Sequence, residues 1–171
     1  MSHFYYKPHL ATRKIDDLKM RAAFHEAGHA IAGINLKCPP KKARLYLKHD
    51  EWAGETINTI AGKPYRYEVH VLSGGYYSEL LFTGVPNPNA ARRDREHLWQ
   101  VGMFQGNLTD DIIRTYQEEL FLILIENWKM VESFAFRLHK LEHLSAIEIE
   151  EFILTFDPSR HEIRYQPLIT D

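Results

Sequence analysis

Between Ile15 and Leu36 the chain runs without a proline, and Leu18, Ala22, Ala23, Ala30 and Ile31 recur at helical rather than alternating spacing. The pattern predicts a first helix, capped at Thr12 and closed before Pro39-Pro40. Ala43 to Leu47 alternates apolar and polar side chains and predicts a short strand. Glu55 to Ile60, entered through Gly54, predicts a second. Tyr65 to Leu81 returns to helical spacing, interrupted at Gly74-Gly75, a pair that calls for a packing reason such as close approach of another helix. A loop over 83–89 leads to a helix from Ala91 to Phe104. Gly106-Asn107-Leu108-Thr109 breaks it, and Thr109 or Asp110 caps the next. Asp110 to Leu141 suits one long helix or two meeting near Asn127. Ser145 with Glu148 forms a capping-box pattern for a last helix, Ala146 to Leu154. Residues 1–12 read as an arm and 157–171 as a loosely held tail. The expectation is a single domain over 1–171, mainly α with a small β element.

The first helix carries the most specific chemistry in the chain, Phe24-His25-Glu26-Ala27-Gly28-His29-Ala30. Histidines four residues apart project from one helical face, so their imidazoles can share one metal ion. Glu26, one step after the first histidine, reaches a water at that metal and can act as its general base. Polar groups facing a buried stripe are costly without a partner, and a Zn²⁺ ion supplies one. A catalytic zinc takes three protein ligands and leaves a position for water. By side-chain chemistry the third ligand is one of Glu55, Glu68, His70, Glu79, Asp94, Glu96 or His97. A third histidine six residues after His29 is excluded, because position 35 is Asn35. A glutamate from a following helix, Glu79 or Glu96, is a further solution, and spacing does not choose among them.

Composition narrows the setting. With 171 residues the chain can bury a core without disulfide or metal staples. Its net charge of −2 argues against nucleic acid or an anionic membrane as partner. The basic clusters Lys41-Lys42-Ala43-Arg44 and Arg92-Arg93 read as solvated faces. Cys38 is the only cysteine, so an intramolecular disulfide is impossible and nothing points to an oxidising compartment. The first fourteen residues lack an apolar signal core, and the longest apolar run, Leu120 to Ile125, is too short to span a bilayer. The expected location is cytoplasmic.

Three segments, in order, resemble the peptidase domain of the FtsH family of zinc metalloproteases. The first is Ala23 to Ala30 with its HEAGH core. The second is Leu72-Ser73-Gly74-Gly75-Tyr76-Tyr77-Ser78-Glu79-Leu80-Leu81-Phe82-Thr83-Gly84. The third runs from Leu122 through Glu126-Asn127 to Leu141-Glu142-His143-Leu144-Ser145 and Ile147-Glu148-Ile149. The resemblance implies a zincin-like HExxH helix with a C-terminal helical hairpin. It also implies a zinc ion held by His25, His29 and Asp94, the last in Ala91-Arg92-Arg93-Asp94-Arg95, with Glu26 as general base. The implied activity is hydrolysis of peptide bonds in a peptide or unfolded protein. Each histidine would donate its other ring N–H to Glu79, Ser78 or a backbone carbonyl, and the edge of the small β element, at Ala43 to Leu47 or Glu55 to Ile60, would take the substrate.

Departures from the family shape the expectation. No GxxxxGK[ST] phosphate loop and no membrane span occur in the chain, so the hydrolysis is expected to be independent of ATP. A separate ATPase or adaptor, and a homo-oligomer like the rings of the family, are the partners the resemblance suggests. Pro86-Asn87-Pro88-Asn89-Ala90 replaces the family's Gly-rich run, and His97, Leu98 and Trp99 replace small residues. The rival reading is a catalytically idle binding or regulatory module that retains the metallopeptidase fold.

Overall fold

A computed structural model describes residues 5–6, 8–104 and 108–169. The expected break at Gly106-Asn107 lies outside them. The described residues form six helices and one small antiparallel sheet: α1 (Leu18–Asn35), β1 (Lys42–Lys48), β2 (Glu51–Ile57), α2 (Tyr65–Thr83), α3 (Ala90–Phe104), α4 (Asp110–Glu126), α5 (Trp128–Leu141), β3 (His143–Ser145) and α6 (Ala146–Thr155). Among the described residues no helix is long and apolar enough to cross a membrane.

α1 is the central element, with every residue from Ala23 to Gly33 buried. Its side chains there are mostly small, which lets neighbours approach closely. The tightest approach is to α2. A Cβ on Gly28 would meet the Gly74 carbonyl oxygen at well under 3.0 Å, and a Cβ on Gly74 would meet the Gly28 carbonyl in return. The two glycines thus bring backbone against backbone, and the Ser78 hydroxyl adds a 2.6 Å hydrogen bond to the Phe24 carbonyl across the same contact. α2 runs unbroken through Gly74-Gly75. The expected interruption is absent, and the packing reason is present. Phe24 stacks on Phe82 of α2 at 3.8 Å and on Trp128 of α5 at 5.5 Å.

α1 begins at Asp17, not Thr12. The Asp17 carboxylate accepts the Met20 amide at 2.8 Å, while Thr12 belongs to the extended arm. Thr109 caps α4, two helices meet at Asn127, and Ser145 with Glu148 completes a capping box on α6.

The sheet differs more from expectation. β2 starts four residues before Glu55, because His49 and Asp50 both adopt left-handed conformations (φ 50° and 62°) and reverse the chain directly after β1. Gly54 therefore lies inside β2 and pairs with Leu45. A third strand, β3, pairs with Lys42 to Arg44, giving the order β2-β1-β3. β1 is the central strand, and β3 with Glu142 covers Ala43 to Leu45 on its second side, while no strand pairs with Tyr46 and Leu47 there.

Both ends of the described chain are tied down. Tyr5 stacks on Tyr76 at 4.0 Å, and the Tyr6 amide donates to Gln117 at 3.0 Å. The tail is held rather than loose. Fully buried Glu132 accepts from the amides of Arg164 (3.0 Å) and Tyr165 (2.6 Å) and pairs with His161 at 2.7 Å. Trp128 donates to the Tyr165 carbonyl at 2.6 Å, and the Leu168 amide reaches Leu81. Burying a carboxylate this deeply is tolerable because backbone N–H groups satisfy it.

The Gly28→Ala variant should be destabilised by about 3 kcal/mol through overpacking, lowering Tm by roughly 6–12 °C in a chain of this size. Thermal unfolding followed by circular dichroism checks this. A drop below about 2 °C would show that α1 and α2 are not locked at this point.

Candidate metal centre

His25 and His29 lie one turn apart on the buried face of α1, only 5% and 7% exposed. α3 brings in Asp94, the fifth residue of that helix. Asp94 thus sits in the second turn of α3, and its carboxylate faces the histidines instead of capping the helix. His25 Nε2 is 3.1 Å from Asp94 Oδ2, His29 Nε2 is 3.3 Å from the same oxygen, and the two Nε2 atoms are 3.2 Å apart. Three donors thus form a nearly equilateral triangle. Two ligands on a tetrahedral ion with bonds of about 2.0 Å are separated by about 3.3 Å, so the triangle fits one face of such a site. Among the described residues this is the cluster of histidines and carboxylates that could hold a metal ion. Two imidazoles and a carboxylate suit a divalent transition metal.

The other ring nitrogens fix which atoms face the centre. His29 Nδ1 meets the Val71 carbonyl at 2.6 Å, which demands a proton on Nδ1 and makes Nε2 the nitrogen that carries the lone pair when the ring is neutral. His25 Nδ1 meets Glu79 Oε2 at 3.2 Å with the same effect. Glu79 is itself held: Arg21 Nε donates to its Oε1, and so does the Asn87 amide at 2.8 Å. Of the sequence candidates for third ligand, Glu79 is thereby an orienting group and Asp94 the converging one. Glu55 pairs with Arg44 at 2.8 Å, Glu96 faces Arg92, and His70 lies 3.4 Å from Glu119.

Gly75 makes room for the centre. A Cβ there would press on Nε2 of both histidines at well under 3.0 Å, so glycine is required where α2 passes behind them. Sequence reasoning identified the glycine pair as a packing feature without linking Gly75 to the histidines, because the crossing of α1 and α2 that links them is tertiary.

Glu26 reaches beneath β2. Its carboxylate accepts the Thr56 hydroxyl at 2.7 Å and lies under Gly54, where a Cβ would collide with it. Gly54 and Thr56 are the neighbours of Glu26 that sequence reasoning missed. Gly54 read only as the entry to a strand, and the one signal available was a glycine within a strand pattern, which marks close approach of another group.

Charge at the centre is strongly perturbed. Burial disfavours the imidazolium of His25, yet hydrogen bonds to Asp94 and Glu79 outweigh it and push the pKa up to about 10. His29 is raised too, burial being overcome by Asp94. Burial also opposes ionisation of Asp94, but the adjacent histidines hold it far below the usual carboxylate range. Glu26 is raised by burial, against the lowering effect of both histidines and Thr56. The arrangement calls for positive charge between the three donors, supplied by protons in the free protein or by a metal ion.

His25 keeps its proton up to about pH 10 in the free protein, and a ligating Nε2 must lose it. Metal uptake near pH 8 should therefore release protons, and affinity should climb as pH rises from 6 to 9. Titration calorimetry in buffers of different ionisation enthalpy reads this, and pH-independent uptake would contradict the assignment. Gly75→Ala should displace the rings and weaken binding about ten-fold or more.

No family model matches this chain and no curated protein matches it, so its chemistry is read from its own geometry.

Proposed function

We propose that the protein is a zinc-dependent endopeptidase of the FtsH type, acting on extended peptides without ATP. The observation that carries the reading is the triangle of His25, His29 and Asp94 donors with the Glu26 carboxylate beside it, tucked beneath an edge strand. The same three donor types serve iron oxygenases, but Glu26 favours hydrolysis, since a buried carboxylate with a raised pKa is what general-base chemistry needs. The order of elements supports it: HEAGH helix, small sheet, glycine-bearing second helix, aspartate-bearing helix, then the α4–α5 hairpin.

His25, His29 and Asp94 would hold the ion. Zinc supplies Lewis acidity to a carbonyl oxygen and makes water acidic near neutral pH. The protein's own groups do the rest. Glu26 takes a proton from the attacking water at its carboxylate and passes it to the departing amine nitrogen. Thr56 and the bare Gly54 hold that carboxylate in one position. Glu79 and the Val71 carbonyl keep the two imidazoles aimed.

Substrate enters a cleft of about 760 Å³ bordered by His25, Glu26, Gly54, Trp52 and the start of α3. β2 is an edge strand, so an extended chain can add to it by main-chain hydrogen bonds next to Glu26. Folded proteins do not present such a chain, which limits substrates to flexible peptides and unfolded segments.

Glu26→Gln should retain one equivalent of zinc and lose hydrolysis by roughly 10²- to 10⁴-fold. His25→Ala and Asp94→Ala should lose the metal along with activity. Metal analysis beside cleavage of a flexible peptide library decides the matter. Wild-type turnover in Glu26→Gln would sink the mechanism.

A further inference from the structure

The ionic groups that border the cleft are mostly matched within the protein. Arg21 donates to Glu79, and Arg92 faces Glu96 at 3.7 Å. Arg93 is different. It is exposed, lines the cleft, and among the described residues has no carboxylate partner. It directly precedes Asp94 on α3, so its guanidinium is anchored one residue from the metal centre. Apolar side chains also line the cleft, among them Leu18, 58% exposed, Trp52 and Tyr46. Two cations of the cleft thus lack a carboxylate partner among the described residues, Lys48 at the hairpin end of β1 and Arg93 beside the metal centre.

We propose that Arg93 is the specificity-determining residue of this cleft, engaging a carboxylate of an extended peptide substrate. The inference rests on the peptidase reading above and names the substrate class of that site. A guanidinium presents a planar fork of donors that a carboxylate matches with two parallel hydrogen bonds, whereas lysine side chains on a substrate meet like charge. The carboxylate can come from an aspartate or glutamate side chain or from the peptide's own C-terminus. Because Arg93 is solvated, the preference is moderate, about five-fold, and shrinks as salt is added.

The test measures binding of fluorescent peptides to the zinc-loaded full chain carrying Glu26→Gln, so that no turnover intervenes. Peptides differ only in Glu, Gln or Lys at one position walked along the sequence, each with a free or amidated C-terminus. The expected result is about five-fold tighter binding of the Glu peptides at one position, or of the free-acid peptides. That preference should vanish with Arg93→Gln and invert with Arg93→Glu at equal zinc content. Equal binding of all peptides, no binding of any, or a preference that survives Arg93→Glu overturns the inference. Cleavage of the same peptides by wild type is scored separately. Selective binding without cleavage removes the peptidase reading and leaves Arg93 as the recognition residue, and cleavage without selectivity does the reverse.

Discussion

The close crossing of α1 and α2 is the constraint on which the rest of the structure depends. Gly28 against Gly74 brings the two backbones into direct contact, and one residue further Gly75 leaves its missing side chain as space behind the histidine nitrogens. α2 then contributes both orienting acceptors, the Val71 carbonyl for His29 and the Glu79 carboxylate for His25. Any side chain at the crossing would separate the helices and release both rings from their partners. Glycine costs helix stability at each of these positions, roughly 1 kcal/mol relative to alanine, and the packed crossing offsets that cost.

A second consequence is the division of charge. Around the centre, Arg21 balances Glu79, the histidines balance Asp94, and Glu26 alone keeps a raised pKa with a single hydroxyl donor. Carboxylates in one small volume are thus driven to different states by their surroundings: Asp94 faces both imidazoles, Glu79 orients one of them, and Glu26 holds a proton more readily than an ordinary carboxylate. The sheet completes the division, because β2 covers Glu26 with a strand that has no Cβ at Gly54.

Much of this was legible in the sequence, where the local signal is strong. The HEAGH spacing marks His25 and His29 because helix periodicity puts them on one face, with Glu26 one step on, and the Ser145–Glu148 capping box needs only four residues to be read. The convergence of Asp94 was not a matter of spacing. It came from the resemblance to a family, and the side-chain chemistry by itself left seven candidates. What stayed hidden was tertiary. The His49–Asp50 turn lacks the Asn-Gly signature of tight hairpins, so β2 was placed late and Gly54 outside it. β3 is three residues long, too short for alternation to show. The tail reads as polar and proline-punctuated, and only the buried Glu132 on α5 reveals what holds it.

The central claim is that one metal ion sits against the triangle formed by His25, His29 and Asp94. X-ray absorption at the zinc edge, on full-length protein purified without chelator, tests it most directly. The account predicts two imidazoles among nitrogen and oxygen neighbours at about 2.0 Å, with no sulfur in the first shell. A first shell lacking imidazole scattering, or a protein that takes up no zinc when it is added, would contradict it.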